Sequence, residues 1–183
     1  MKVEQSSDDP STVPAEDLAR LEALAYGLRY SEWQKWFWEF AKSYGRIFVV
    51  RRGDTPIGAA MLLPTMAETV YLETMVVKPK RQGMGIGSTL LTEVVSYADI
   101  HQITLELHCL DGGKAIRLYE RFGFRKQGKP APRYYSHILY QHMVREPSEE
   151  RFCTRCGKYG HYYYEHNPST DNIEIILKKA PEG

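Results

Sequence analysis

The stretch V-V-K-P-K-R-Q-G-M-G-I-G-S, residues 76–88, decides the fold because it joins an apolar strand pattern to a helix pattern through three glycines. Gly83, Gly85 and Gly87 stand at alternate positions, where backbone N–H groups can converge on an anion at the start of a helix. We therefore expect a pyrophosphate site here, with a flexible turn as the alternative. A Walker loop would need G-K-[ST], and a dinucleotide fingerprint would need glycine in place of Ser88, so both of those nucleotide motifs are disfavoured.

On either side of this loop, the hydrophobic pattern switches between the helical and the strand period. An amphipathic helix begins at Pro14, and Ser31 with Gln34 forms a capping-box signal that starts a second helix. Gly53-Asp54 separates two short apolar runs, as in a β-hairpin. The remaining predicted elements are a strand at 69–77, a helix around 90–98, a strand at 103–109, a helix at 115–122 and a strand within 134–144. This order predicts an α+β fold with a crossover.

Two motifs together resemble the hallmarks of the GNAT acetyltransferase superfamily over about residues 14–144. Q-G-M-G-I-G, Gln82–Gly87, fits the family's Q/R-x-x-G-x-G/A loop between a strand and a helix. Further along, A-I-R-L-Y-E-R-F-G-F, Ala115–Phe124, is similar to the family's second hallmark helix with its Gly-Phe end. The resemblance implies a central twisted mixed sheet that is flanked by helices and splays to admit acetyl-coenzyme A (acetyl-CoA). It also implies N-acetyl transfer to an amine acceptor.

The same resemblance implies a set of residues that hold the coenzyme. The pantetheine would pair with the strand near Met75–Val77, and the pyrophosphate would meet the glycine loop. Basic side chains nearby, Lys114 among them, would serve the phosphates, although a merely solvated basic face is an equal alternative. The candidate cofactor-binding residues are Met75, Val76, Val77, Gln82, Gly83, Met84, Gly85, Ile86, Gly87, Ser88 and Lys114.

Two further residues take catalytic roles through the resemblance. Tyr119, within L-Y-E-x-x-G-F, would protonate the leaving thiolate, which suits a phenol of higher pKa than a thiol. Glu73, on the strand that enters the glycine loop, would take the proton of the amine, directly or through water. Because strand side chains alternate, we expect Glu73 and Tyr71 to share one face and Thr74 to point away. The alternatives are a Tyr119 that only packs in the core and a Glu73 that is solvated or salt-bridged.

One position departs from the family pattern. Relatives commonly carry Asn three residues before the Ala of the second hallmark helix, and Gly112 stands there. Any contact that this Asn makes to coenzyme or substrate is therefore in doubt. The departure leaves open a second class of function, a non-catalytic module on a GNAT-like fold that binds nucleic acid or protein.

The segment W-Q-K-W-F-W-E-F carries aromatic residues that fall on one helical face. Trp33, Trp36, Phe37 and Phe40 share this face, and the pattern favours packing in the core. Trp38 lies off the face, which makes it the better candidate for contact with a substrate or partner.

Residues 153–166 read C-T-R-C-G-K-Y-G-H-Y-Y-Y-E-H and resemble a retroviral-type zinc knuckle. The expected ligands are Cys153, Cys156, His161 and His166, the last in place of the usual Cys. Two thiolates and two imidazoles form a closed tetrahedral set for Zn²⁺, so the metal would be structural rather than catalytic. The alternative is a chance C-x-x-C beside an aromatic strand.

Knuckles of this type often bind single-stranded nucleic acid, and several aromatic residues here could stack on bases. The charge does not favour it, because residues 145–183 hold six Lys and Arg against seven Asp and Glu. The aromatic residues could equally cover the metal or pack on the larger domain.

Composition sets the remaining expectations. The 183 residues are 43% hydrophobic and carry a net charge of +1, which excludes a wholly disordered chain and gives no global signal for nucleic acid or membrane. Three cysteines and the polar start M-K-V-E-Q-S-S point to a cytoplasmic protein without a secretory signal or membrane partner. We expect a flexible segment 1–13, an acetyltransferase domain 14–146 and a zinc-knuckle appendage 147–183, whose terminal strand could pair subunits in a homodimer.

Overall fold

The computed structural model describes residues 13–65, 69–133 and 137–148, together with the backbone of three short strands, 152–153, 158–159 and 174–177. The α-helices in these ranges are α1 (Ala15–Tyr26), α2 (Glu32–Tyr44), α3 (Ile86–Ile100) and α4 (Ala115–Arg121). The strands are β1 (Arg46–Arg52), β2 (Thr55–Pro64), β3 (Thr69–Val77), β4 (Thr104–Leu110), β5 (Arg125–Pro132), β6 (Leu139–Arg145), β7 (Phe152–Cys153), β8 (Lys158–Tyr159) and β9 (Glu174–Leu177). This is the α+β arrangement expected from the sequence.

One mixed sheet in the order β5-β6-β4-β3-β2-β1-β9 forms the centre of the fold. Only β3 and β4 are parallel among its neighbouring pairs, and α3 connects them. The last strand, β9, pairs antiparallel with β1 of the same chain and so extends the sheet at that edge. No helix within the described ranges has the length and apolar character required to cross a membrane.

Local signals set the helix boundaries. The capping box expected before α2 is present, since the side chain of Gln34 accepts from the Ser31 N–H (3.0 Å) and the Ser31 hydroxyl accepts from the Gln34 N–H (3.3 Å). Pro14 precedes α1, and Gly27 ends it with a φ of +67°, a backbone conformation that glycine adopts without strain.

Two apolar layers cover the two faces of the sheet. The first joins α3 and α4 to β1–β4 and β6, and it contains Leu90, Leu107 and Phe122. The second joins α1 and α2 to β1, β2 and the end of β3, with Leu18 and Trp38 at its centre. No residue of β4 or β6 belongs to this second layer, so the α1/α2 face of those strands stays uncovered within the described part of the chain.

The orientation of α2 differs from the expectation. Trp38 is fully buried, whereas Trp33 and Trp36 are 64% and 59% exposed. Phe40 is also exposed, and Phe37 is only partly buried. The prediction that these rings pack in the core is therefore wrong for Trp33, Trp36 and Phe40, whereas Phe37 does pack against the core. The prediction that Trp38 contacts a substrate or partner is also wrong.

Trp38 is buried for a reason that the hydrophobic pattern does not show. It lies on the same side of α2 as Ala41, whose small side chain lets the helix approach the sheet closely. Its indole N–H also finds an acceptor, the half-buried carboxylate of Glu22 on α1, at 2.9 Å. The exposed rings instead stack on one another, as Trp33 does on Phe37 at 5.3 Å between ring centroids.

A buried ion pair holds the end of α4 against the sheet. Both guanidinium N–H₂ groups of Arg145 on β6 donate to the carboxylate of Asp99 on α3, at 2.7 and 2.9 Å. The Arg145 Nε–H donates to the carbonyl of Phe122, directly after α4 (2.9 Å). Because both side chains are more than 90% buried, each charge depends on the other.

Replacing Arg145 by Met should lower the free energy of unfolding by about 3–5 kcal/mol, because the carboxylate of Asp99 is then buried without its cation. Urea denaturation measures the effect. Glu16→Gln, which removes an exposed ion pair with Arg20, is the control and should leave stability almost unchanged. Adding Asp99→Leu to Arg145→Met should restore part of the loss, and equal stabilities of the Arg145→Met and Glu16→Gln variants would contradict this account.

Candidate active site

The glycine loop leaves backbone donors available at the start of α3. Gly83 and Gly85 adopt φ values of +77° and +85°, which agrees with the choice of glycine at both positions. The first intrahelical bond runs from the Thr89 N–H to the Gly85 carbonyl (2.9 Å), so the N–H groups of residues 86–88 have no partner within the helix. This arrangement is suited to a phosphate group.

The side chains of the predicted loop residues take different places. Gln82 donates to the Val77 carbonyl (3.2 Å), and Ile86 is buried in the α3/α4 layer, so the backbone of Ile86 rather than its side chain faces outward. Met84 is 64% exposed and Lys114, which precedes α4, is also exposed.

Arg121 on α4 is a cation at this loop that the sequence analysis did not select. One of its terminal nitrogens donates to the hydroxyl of Ser88 at 2.8 Å, which brings a guanidinium group next to the first turn of α3. The sequence did offer a sign of this cation, because Arg121 lies one turn after Arg117, another basic residue of the same short helix.

The parallel strands β3 and β4 separate before the middle of either strand. They pair at three positions, the last of which is Tyr71 opposite Glu106. Beyond this point β3 stays paired with β2 as far as Val77, and β4 stays paired with β6 as far as Leu110. A gap therefore opens between the two strands, with Met75–Val77 along one edge and with backbone groups that a bound molecule can use.

A β-bulge in β3 lies where the gap begins. Met61 and Leu62 of β2 pair with Thr74 and Leu72, so Glu73 between them has no residue opposite. The bulge reverses the alternation, because Leu72 packs in the α3/α4 layer whereas Thr74 bonds to α1 on the other face. The expectation that Thr74 points away from Glu73 and Tyr71 is therefore wrong.

Tyr119 of α4 is buried in the α3/α4 layer, near Tyr71 of β3 and Cys109 of β4, the two strands that border the gap. Its ring packs edge-on against Phe124 with 5.6 Å between the centroids, and the residue is 8% exposed. Burial raises the pKa of its phenol, and Cys109 and residues of the opposite face, Tyr26 and Tyr71, add to the shift through their proximity. Among the described residues, none forms a hydrogen bond with its hydroxyl.

Glu73 is half-buried at the mouth of the gap. Burial raises the pKa of its carboxyl, the positive charge of Arg133 opposes that shift, and the negative charge of Glu22 adds to it. The sequence predicts Glu73 as a site residue, but it does not predict the two charged residues near it, Arg133 and Glu22.

A chain of polar side chains crosses the uncovered face beside Glu73. Arg133 donates to the hydroxyl of Tyr71 (2.5 Å), which leaves that hydroxyl to donate to Nδ1 of His108 (2.8 Å). The ring of His108 stacks on His142 at 4.6 Å, and His142 bonds to Glu106 (3.2 Å). Desolvation and then the charge of Arg133 lower the pKa of His108 to about 4, so its imidazole is neutral at pH 7.

Gly112 has a φ of +70°, a region that glycine adopts freely and that Asn tolerates better than most residues. Gly112 can therefore keep the backbone turn before α4 without supplying a side-chain amide.

The expected zinc ligands lie beyond what the structure describes. Cys153 belongs to β7, of which only the backbone is described, and Cys156, His161 and His166 fall outside the described residues. Among the residues that are described, no group of three or more His, Cys, Asp or Glu side chains is placed to hold a metal ion.

Comparison with known proteins gives a family and a fold. A family model described as "Acetyltransferase (GNAT) family" matches residues 14–124. An uncharacterized protein of Mycobacterium leprae (strain TN) is 36% identical over 100 residues, which are 53% of this chain but only 27% of that longer protein.

Solved structures share the fold. The ribosomal-protein-S18-alanine N-acetyltransferase from Escherichia coli superposes with a TM-score of 0.64 at 22% identity, covering 78% of this chain and 92% of that one. An aminoglycoside 6'-N-acetyltransferase in complex with coenzyme A gives 0.64 at 18% identity, over 76% and 93% of the two chains. A GNAT family acetyltransferase from Elizabethkingia anophelis with acetyl-CoA bound gives 0.55 at 19% identity, over 77% and 94%.

We expect His108 to titrate with a pKa of about 4 in an NMR titration of its ring protons. Because folded His108 binds a proton less tightly than the unfolded chain does, its contribution to stability should fall as the pH drops from about 6.5 towards 4. Arg133→Met should raise this pKa by removing the nearby positive charge. A pKa near 6.5 in the unmodified protein would contradict the geometry given above.

Proposed function

The chain belongs to the GNAT family of acetyltransferases, and from this premise we propose that it transfers the acetyl group of acetyl-CoA to the nitrogen of an amine acceptor. The observation that carries the proposal is the gap between β3 and β4, which opens next to the hydroxyl of Tyr119 and leads to the donors of the glycine loop. A molecule that carries a pyrophosphate and, some distance away, a thioester could bind the glycine-loop donors with the first group and place the second near Tyr119.

The residues present suit acetyl-CoA. The N–H groups of residues 86–88 would bind the pyrophosphate, with Arg121 as a cation beside them. The edge of β3 along Met75–Val77 would accept the pantetheine arm by backbone hydrogen bonds in place of the missing strand. The thioester would then lie near Tyr119.

The reaction removes two protons from the acceptor nitrogen and supplies one proton to the leaving thiolate. The acceptor arrives as an ammonium ion, and Glu73 takes one proton from it so that the nitrogen lone pair can attack the thioester carbon. The carbon–sulfur bond breaks, Tyr119 gives its proton to the departing thiolate, and the new amide nitrogen gives up the second proton, which restores the phenol through water. The products are the N-acetylated acceptor, coenzyme A as a thiol and one proton released to solvent.

The acceptor site lies on the α1/α2 face, where Glu73, Tyr71 and His108 surround the mouth of the gap. The name of one structural neighbour gives a ribosomal protein as its acceptor, and the name of another gives an aminoglycoside. The shared fold therefore does not distinguish a protein acceptor from a small-molecule acceptor.

Replacing Tyr119 by Phe should lower kcat by about a hundredfold, because the thiolate then leaves without a proton donor. The affinity for acetyl-CoA should stay within about twofold, since the ring and its packing against Phe124 are kept. Stopped-flow detection of the free thiol gives the rate, and calorimetric titration with acetyl-CoA gives the affinity.

The matched control is Tyr44→Phe, which removes an exposed hydroxyl on α2. Unchanged turnover in the Tyr119→Phe variant would remove Tyr119 as the acid. Failure of the unmodified protein to bind acetyl-CoA would contradict the proposed function itself and favour the non-catalytic module.

We further propose that Cys153, Cys156, His161 and His166 bind one structural Zn²⁺. The support is the C-x2-C-x4-H-x4-H spacing, which provides four ligands of the types that zinc prefers. A module of this kind beside a transferase could recruit the acceptor, including single-stranded RNA or DNA.

Metal analysis of the purified protein should give one equivalent of zinc, and Cys156→Ser should lose it. Cys109→Ala is the control, because Cys109 is buried on β4 and is not part of the C-x2-C-x4-H-x4-H motif, so its loss should leave the zinc content unchanged. Retention of zinc in Cys156→Ser would dismiss the site. Filter binding with single-stranded RNA and DNA, with and without a chelator, tests recruitment separately.

A further inference from the structure

A second carboxylate lies close to Glu73, on the α1/α2 face of the sheet. Glu22 is on α1, and its Oε2 accepts from the indole N–H of Trp38 at 2.9 Å. Its Oε1 accepts from the hydroxyl of Thr74 at 3.1 Å. Because Trp38 and Thr74 are both buried, these two bonds fix the carboxylate in one orientation.

The chain connects this carboxylate directly to the expected base. Thr74 follows Glu73 at the bulge of β3, so the hydroxyl that holds Glu22 is carried by the residue next to Glu73. The two acids are close enough that the negative charge of Glu22 raises the pKa of Glu73, in addition to the effect of burial. Burial also raises the pKa of Glu22 itself.

The charges around the pair are unevenly placed. Arg133, which follows β5, faces Glu73 and also the neutral His108 of β4. Glu22 has no such partner, because within the described residues none of the Lys, Arg or His side chains forms an ion pair with it. Two half-buried carboxylates, of which only Glu73 faces a cation, cost free energy while no ligand is bound. A cationic ligand between them would offset that cost.

This inference rests on the proposed function. We propose that Glu22 is a positioning residue of the acceptor site which, together with Glu73, selects acceptors whose amine arrives as a protonated ammonium group. The Trp38 and Thr74 bonds hold the Glu22 carboxylate, and the ammonium ion lies between Glu22 and Glu73. Glu73 then takes the proton while Glu22 keeps the acceptor in place. Primary amines of high pKa are the expected acceptors, and neutral hydroxyl compounds are excluded.

Glu22→Gln tests the charge with little change in shape, because the amide still offers an oxygen to Trp38. In protein labelled with ¹³C at the glutamate carboxyls, the resonance of Glu73, assigned through Glu73→Gln, gives its pKa directly. We expect this pKa to fall in Glu22→Gln, since a negative neighbour is removed, and to stay unchanged in Glu39→Gln, an exposed glutamate on α2. An unchanged pKa of Glu73 in Glu22→Gln would overturn the proposal.

The ligand arm uses 1,4-diaminobutane, a simple primary ammonium, added to the coenzyme A complex at pH 7. In the unmodified protein the Glu73 resonance should shift in a saturable way, and Glu22→Gln should weaken the binding about tenfold. Trp38→Phe keeps the charge of Glu22 but removes one of the two hydrogen bonds that orient its carboxylate. This variant should weaken the binding of the amine less than Glu22→Gln does. Equal affinity in Glu22→Gln, or no shift in the unmodified protein, would overturn the selection of an ammonium group.

Kinetics separate this inference from the proposed function. If 1,4-diaminobutane or a tripeptide with a free amino terminus is acetylated, Glu22→Gln should raise KM about tenfold and leave the plateau kcat within about twofold. The acid limb of kcat/KM should move to lower pH, following Glu73. Absence of transfer by the unmodified protein, together with saturable amine binding that depends on Glu22, would contradict catalysis and leave the paired carboxylates in place as a binding site.

Discussion

The structure depends on the separation of β3 from β4 after the Tyr71–Glu106 pair. A parallel pair that continued to the ends of both strands would place a ladder of hydrogen bonds where the edge of β3 now stands open. The bulge at Glu73 lies at the same point and changes which residues face α1. One local departure from regular pairing therefore creates the gap, orients the acidic residue at its mouth and lets Tyr119 reach it from the opposite layer.

Packing on both faces keeps this opening in place. On one side, the Asp99–Arg145 ion pair bonds to the Phe122 carbonyl and so fixes the end of the helix that carries Tyr119. On the other side, the buried indole of Trp38 ties α2 to α1 through Glu22. Within the described residues, no apolar layer covers the α1/α2 face of β4 and β6, and this is the face on which we place the acceptor.

The sequence predicts the local features and misses the contacts between distant residues. The glycine loop and the capping box at Ser31 follow from backbone conformations that a few adjacent residues determine. Glu22 and Thr74 are 52 residues apart, and Tyr71 and Arg133 are 62 apart, so no spacing rule joins them. The aromatic residues of α2 gave a wrong prediction of its buried face because they surround much of the helix. Burial of Trp38 depended on the small neighbour Ala41 and on an acceptor for the indole N–H rather than on hydrophobicity. At Glu73, the rule that strand side chains alternate between faces gave a wrong prediction, because the sequence of an apolar strand does not show where a bulge lies.

Hydrogen–deuterium exchange with and without acetyl-CoA shows whether the gap between β3 and β4 holds the cosubstrate. We expect slower exchange on binding at the amides of Met75–Val77 and of residues 86–88, with little change in β1 and β2, which are already paired. Binding that leaves these amides unchanged, or protection confined to another part of the sheet, would contradict this expectation.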